Sequence, residues 1–198
     1  MSPRVAFVLL LVGSSGGCGV TPAPDAATPP PGDGAPALDA ELLPGCVGAP
    51  PMALGACVDL VGGGQCVGGA DEVPIFDAMS EGDPLRVVVG PQGASMFAIS
   101  LRVTGVDGGD PAAPVSADDP RVEILVRDEE GTTVAQYRGL HALDPDPDLP
   151  GWLVKAGLFV VVDVRPTSLD GRVLTAEATL VDRDGVERCG RLSFRATT

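Results

Sequence analysis

The chain has no asparagine, a single lysine (Lys155), a single histidine (His141), one tryptophan (Trp152) and one tyrosine (Tyr137) among its 198 residues. Each scarcity removes a class of chemistry. Without asparagine there is no N-glycosylation acceptor and no asparagine amide for a sugar or metal site. Positive charge is also scarce, 13 Lys+Arg against 27 Asp+Glu, and the formal charge of −14 repels phosphate backbones and anionic membrane surfaces. Nucleic acid is therefore not an expected partner. Aromatic residues are 4% of the chain, too few to line a glycosidase cleft with stacking platforms. One histidine and no Gly-x-Ser-x-Gly elbow leave a serine triad without a signature, since Ser95, which follows Gly93-Ala94, opens a strand. No catalytic residue and no cofactor are expected. What the chain does have is a hydrophobic fraction of 44%, enough to build a packed core.

Long hydrophobic runs are missing too. The longest, Val5–Val12, follows Arg4 and precedes Gly13-Ser14-Ser15-Gly16-Gly17, too short for the roughly 20 residues that cross a bilayer as a helix but of the right build for an export signal over residues 1–17. Cys18 stands directly after Ser15-Gly16-Gly17. This resembles the lipobox of bacterial lipoproteins, although Ser15 occupies a position where that family usually carries Leu, Val or Ile. The resemblance implies lipidation of Cys18, and Gly19 in place of Asp after it implies sorting to the outer membrane. The membrane would then be a partner through acyl chains, each buried methylene contributing ~0.8 kcal/mol.

With Cys18 spent on lipid, Cys46, Cys57, Cys66 and Cys189 remain, an even number suited to disulfides in an oxidising envelope. Three pairings are open. The short spacing of Cys57 and Cys66 favours a local bond, which leaves Cys46 for Cys189. No pair of cysteines has the spacing of a zinc knuckle.

Residues 18–45, rich in Pro, Ala and Asp, read as a disordered tether that reaches roughly 80 Å if extended as polyproline II. Residues 46–83 are Cys- and Gly-rich and read as an irregular segment stapled to the main domain. Over 84–198 the pattern turns to period two. Phe97, Ile99, Leu101 and Val103 share a face, as do Val122, Ile124 and Val126, and Leu174, Ala176, Ala178 and Leu180. Asp128-Glu129-Glu130-Gly131 and Asp182-Arg183-Asp184-Gly185 supply the turns of two hairpins. With strands at 85–89 and 158–164 the total is seven, and the expected fold is all-β: an immunoglobulin-like Greek-key β-sandwich. On the last strand Cys189 falls opposite Leu192 and Phe194, facing outward unless Gly190 marks a bulge.

The segment DPLRVVVGPQGASMFAISLRVTGV, with its Gly90-Pro91-Gln92-Gly93 turn, resembles a domain of myxobacterial-type lipoproteins. The resemblance implies class and location and carries no activity. The turn lacks the Lys-Ser/Thr of a phosphate cradle. Asp144, Asp146 and Asp148 alternate as at the start of a calcium loop, but Leu149 and Lys155 stand where such a loop needs Gly and Glu, so they are weak calcium candidates in an acidic solvated loop. Asp107, Asp110, Asp118 and Asp119 form a second acidic loop. Trp152 is expected to plug the core or pack beneath the 139–151 loop rather than stack on sugar. The sequence therefore points to a non-catalytic, lipid-anchored envelope protein that presents its domain for protein or surface contacts. The alternatives are an accessory calcium- or carbohydrate-binding module and, more remotely, an envelope hydrolase.

Overall fold

Period-two alternation builds the described residues largely from strands. The computed structural model describes residues 52–57, 60–61, 65–66, 76–90 and 92–198, which fall within the unit Leu38–Thr198. The expected signal at 1–17, the tether at 18–45, Cys18, Cys46 and Pro91 lie outside the described residues. In chain order the strands are β1 (Ala53–Cys57), β2 (Leu60–Val61), β3 (Gln65–Cys66), β4 (Phe76–Ala78), β5 (Pro84–Val89), β6 (Ser95–Thr104), β7 (Arg121–Arg127), β8 (Thr133–Leu140), β9 (Asp144–Pro145), β10 (Trp152–Val162), β11 (Val173–Val181) and β12 (Glu187–Thr197), with a 3-10 turn at Pro166–Ser168.

Seven strands close into a barrel in the order β5, β6, β10, β8, β7, β11, β12. The ring shuts where β12 meets β5 in parallel, Arg195 beside Pro84 and Thr197 beside Arg86, and each of the other six pairs is antiparallel. An odd number of strands cannot alternate direction all the way round, so a parallel pair is a geometric necessity. Three further strands attach to the ring. β1 pairs with the second half of β6, from Ala53 against Arg102 to Ala56 against Ile99, and the Met52 amide donates to the Cys189 carbonyl at 3.1 Å, so this segment fills the wall beyond the end of β5. β4 borders β1, β9 borders β10, and β2 with β3 forms a separate small ladder.

The expected immunoglobulin-like Greek-key sandwich is thus corrected to a closed, mixed β-barrel. The seven expected segments are strands, but their inward faces meet round one ring rather than across two sheets. Both architectures impose the same alternation on each strand. The choice lies in two non-local contacts, β12 with β5 and β6 with β10, which local patterning does not encode.

Side chains fill the interior. Phe97, Leu101, Val103, Val122, Ile124, Val126, Leu174, Ala178, Leu180 and Phe194 are fully inaccessible, and Phe97 meets Phe194 edge to face with centroids 5.2 Å apart, a geometry worth ~0.5–1.5 kcal/mol beyond its buried area. Leu169, next to the 3-10 turn, plugs one end. At the other, Arg188 donates from its guanidinium to the Thr104 and Gly105 carbonyls at 3.2 and 2.7 Å. The register of β11 with β12 is unbroken from Val173 to Val181, so there is no bulge at Gly190 and Cys189 faces outward, 2% exposed. Gly190 is required for another reason. A Cβ there would collide with the Met52 carbonyl oxygen.

Cys57 and Cys189 are both disulfide-bonded. The pairings expected from the cysteine count, Cys57 with Cys66 and Cys46 with Cys189, rest on the Cys66 side chain and on Cys46, which lie outside what is described.

Candidate functional site

Three loops gather at the barrel end where β6, β8 and β11 finish: 105–120, 141–151 and 182–186. They carry both acidic clusters and His141. Asp182 anchors the third loop. Its carboxylate accepts from the amides of Val186 at 2.8 Å, Asp184 at 3.0 Å and, across to the first loop, Asp107 at 3.0 Å. Burial would raise the pKa of Asp182, but those amides, of Asp107, Val186 and Asp184, and the nearby Arg188 outweigh it and hold the carboxyl below its ordinary value.

Asp107, Asp110, Asp118 and Asp119 line an open cleft of about 360 Å³ together with Arg183. Their carboxylates are largely committed to the loop itself. Asp107 accepts from the Gly109 amide at 2.9 Å and pairs with Arg183 at 2.5 Å, Asp110 accepts from the Ala112 amide at 2.9 Å, and Asp119 accepts from the Ser116 amide at 2.8 Å. The Asp107 and Asp110 bonds are Asx-type turns, and with the Asp119 bond they shape a long connection.

The calcium candidates do not converge. Asp146 turns its inaccessible side chain to Arg102 on β6, forming an ion pair, and accepts from the Asp148 and Leu149 amides at 2.9 and 3.1 Å. Asp148 is 68% exposed at its side chain and reaches Arg102 only at 3.6 Å, and Asp144 lies in β9 beside Val154. The expectation of a wholly solvated loop is corrected at Asp146, which is buried by its pairing. Among the described residues no group of three or more His, Cys, Asp or Glu is placed to hold a metal. Arg102 also lies 4.4 Å over the Phe76 ring. Sandwiched between ring and carboxylate, it clamps β4 and the 144–151 loop onto the outer wall, where Ala53, Phe76 and Val154 form a small second core. Gly55 makes room for that ring, since a Cβ there would touch it.

Trp152 pairs with Thr104 on the outward row and closes the 144–151 loop through its backbone, so it does not plug the barrel core. Ser95 lies at the opposite end of the barrel from His141. Along β6 it is six positions from Leu101, the partner of Lys155, or roughly 20 Å at ~3.3 Å per residue. The Gly90–Gly93 turn joins β5 to β6, with the Gly93 amide donating to the Gly90 carbonyl at 2.8 Å and Gly93 at φ 78°.

One grouping was not singled out from the sequence. Ile124 pairs with Tyr137 and Val122 with Gly139, so Tyr137 and Gly139 share the inward face of the wall, with His141 next in the row. The Tyr137 hydroxyl meets His141 Nε2 and the two rings stack at 5.7 Å. Gly139 leaves the space for this contact, because a Cβ would run into both partners. Lys155 pairs with Leu101 and so also faces inward, close enough that its charge, after burial, helps lower the His141 pKa, while Asp119 opposes the shift. Burial raises the Tyr137 pKa. The imidazole is therefore neutral near pH 7, and with a protonated phenol beside it the pair holds one shared proton donor and acceptor. A spacing signal did exist: 137 and 139 alternate along β8 and 141 keeps the parity just beyond its end, but only the register of β10 with β6 turns Lys155 inward.

The class these features define is a small, side-chain-filled β-barrel with acidic loops at one end. Compared with protein-family models, curated proteins and solved structures, the chain matches none.

Proposed function

We propose that the chain is a lipid-anchored protein of the cell envelope, non-catalytic, which carries its barrel on the 18–45 tether for contact with a protein or surface partner. The observation that carries this reading is the placement of Cys18 behind an apolar run and the small residues Ser15-Gly16-Gly17. The oxidised state of Cys57 and Cys189 supports an oxidising compartment. The packed interior supports a role for the outer wall and loops rather than for an enclosed ligand. The calcium-module alternative finds no support in the commitment of Asp146 to Arg102. Fractionation of cells expressing Cys18→Ser tests the anchor. The native chain is expected with membranes and the variant in the soluble envelope fraction, and equal distribution of the two would refute it.

A further inference from the structure

Among the described residues three aspartates are more than nine-tenths buried, and they are not equally served. Asp146 has the Arg102 guanidinium and the Asp148 and Leu149 amides. Asp182 has the amides of Asp107, Asp184 and Val186. Asp119, 7% exposed, has one donor, the Ser116 amide at 2.8 Å on Oδ2. Its other oxygen, Oδ1, has no donor among the described residues, and the guanidinium that lines the same cleft, Arg183, pairs with Asp107 instead. A buried carboxylate with one donor and no counter-charge is left short of the partners that offset its desolvation.

Oδ1 is not sealed inside the protein. Arg102 Nε and Asp146 Oδ2 are the inaccessible side-chain polar atoms without a hydrogen bond among the described residues, so Oδ1, equally without one, keeps contact with the outside. The opening is the cleft of about 360 Å³, which Asp119 lines together with Gly109 and Ser116. Gly109, at φ 72°, passes the carboxylate so closely that a Cβ there would strike Oδ1. Its lack of a side chain is what leaves this oxygen uncovered. Asp107, Asp110 and Asp118 line the cleft as well, which makes four carboxylates against the single guanidinium of Arg183 and a negative field over the opening.

A metal ion does not fit, because no three His, Cys, Asp or Glu among the described residues are placed to hold one. A primary ammonium or a guanidinium asks for less: one carboxylate oxygen within hydrogen-bond reach and a negative surround. We infer that the cleft beside the 105–120 loop is a binding site for a single ammonium or guanidinium group, which donates to Asp119 Oδ1 on its floor. A free amine and a basic side chain of a protein partner present this same group. The inference stands whether or not Cys18 carries lipid.

The Ser116 amide reports the site, since it is bonded to the same carboxylate. The full chain, labelled with 15N, is titrated at constant ionic strength with spermidine as the free amine, with Nα-acetyl-lysine amide and Nα-acetyl-arginine amide as side-chain probes, and with tetramethylammonium, a cation without N–H donors. A saturable shift of the Ser116 resonance is expected with the N–H cations, and none beyond that of sodium chloride with tetramethylammonium. Asp119→Asn, which keeps an oxygen for the Ser116 amide, should weaken binding at least about tenfold through loss of one charge-assisted hydrogen bond. Asp118→Asn removes the same charge from the same cleft at an exposed position and should weaken it less than about threefold, which separates a specific contact from the general field. Tighter saturation by the acetylated amides assigns the site to a basic side chain of a protein, and tighter saturation by spermidine to a free amine. No saturation by any N–H cation, an equal response to tetramethylammonium, or equal weakening by Asp118→Asn and Asp119→Asn would overturn the inference.

Discussion

Asp146→Ala probes the clamp on the outer wall. The Asp146 side chain is inaccessible and that of Arg102 is 14% exposed, and Arg102 Nε and Asp146 Oδ2 have no hydrogen-bond partner beyond their ion pair. The substitution strands a nearly buried guanidinium and removes the acceptor of the Asp148 and Leu149 amides. Breaking one side of a buried pair costs about 3–5 kcal/mol, and at roughly 2–4 °C per kcal/mol for a domain of this size the melting temperature should fall by roughly 6–20 °C. Urea unfolding without reductant gives the free energy and thermal melting the shift. The double variant Arg102→Met, Asp146→Leu removes both charges at once and should recover much of the loss, because most of the single-variant cost is the orphaned charge rather than the worth of the pair. A loss below about 1 kcal/mol for Asp146→Ala, or a double variant as unstable as the sum of the singles, would show that the clamp is a surface pair of little weight.

The remaining predictions concern turns, close approaches and protons. Asp182 and Asp128 both have lowered pKa values: at Asp128, desolvation is outweighed by the Thr132 amide, Arg172 and Glu130. A folded value below the unfolded ~3.9 means that their stabilisation is present above about pH 5 and lost as pH falls through the lowered values. Asp182→Asn should therefore flatten the acid limb of melting temperature against pH, and an unchanged limb would count against it. His141 is also lowered, first by burial and then by Lys155, so the unfolded chain takes its proton first and stability should decline as pH drops below about 6.5. His141→Gln should remove that decline. Gly139→Ala should separate Tyr137 from His141 and cost about 1–3 kcal/mol through overpacking, seen as a lower urea midpoint together with changed Tyr137 fluorescence. Gly190→Ala, which opposes the Met52 carbonyl, should be no less destabilising.

Much of the fold was legible strand by strand. Phe97, Ile99, Leu101 and Val103 do face the core, the two Asp-x-x-Gly turns do close hairpins, and the outward setting of Cys189 is the one of two alternatives, outward or bulged at Gly190, that the unbroken register of β11 with β12 selects. Ring closure was not legible, because a parallel pairing of Arg195 with Pro84 joins segments more than a hundred positions apart and leaves the alternation of neither changed. Nor was the burial of Asp146, since its partner Arg102 comes from a distant strand. The grouping of Tyr137 with His141 followed from the parity of β8, which the sequence carried, whereas the inward setting of Lys155 needed the bulged register of β10, which it did not.

The anchored, oxidised barrel is tested most directly by the intact mass of the mature protein from the membrane fraction, alkylated before and after reduction. The expected mass begins at Cys18 and carries acyl chains, with Cys57 and Cys189 alkylated only after reduction. A soluble, unacylated chain with Cys57 and Cys189 alkylated from the start would contradict both the anchor and the oxidised state.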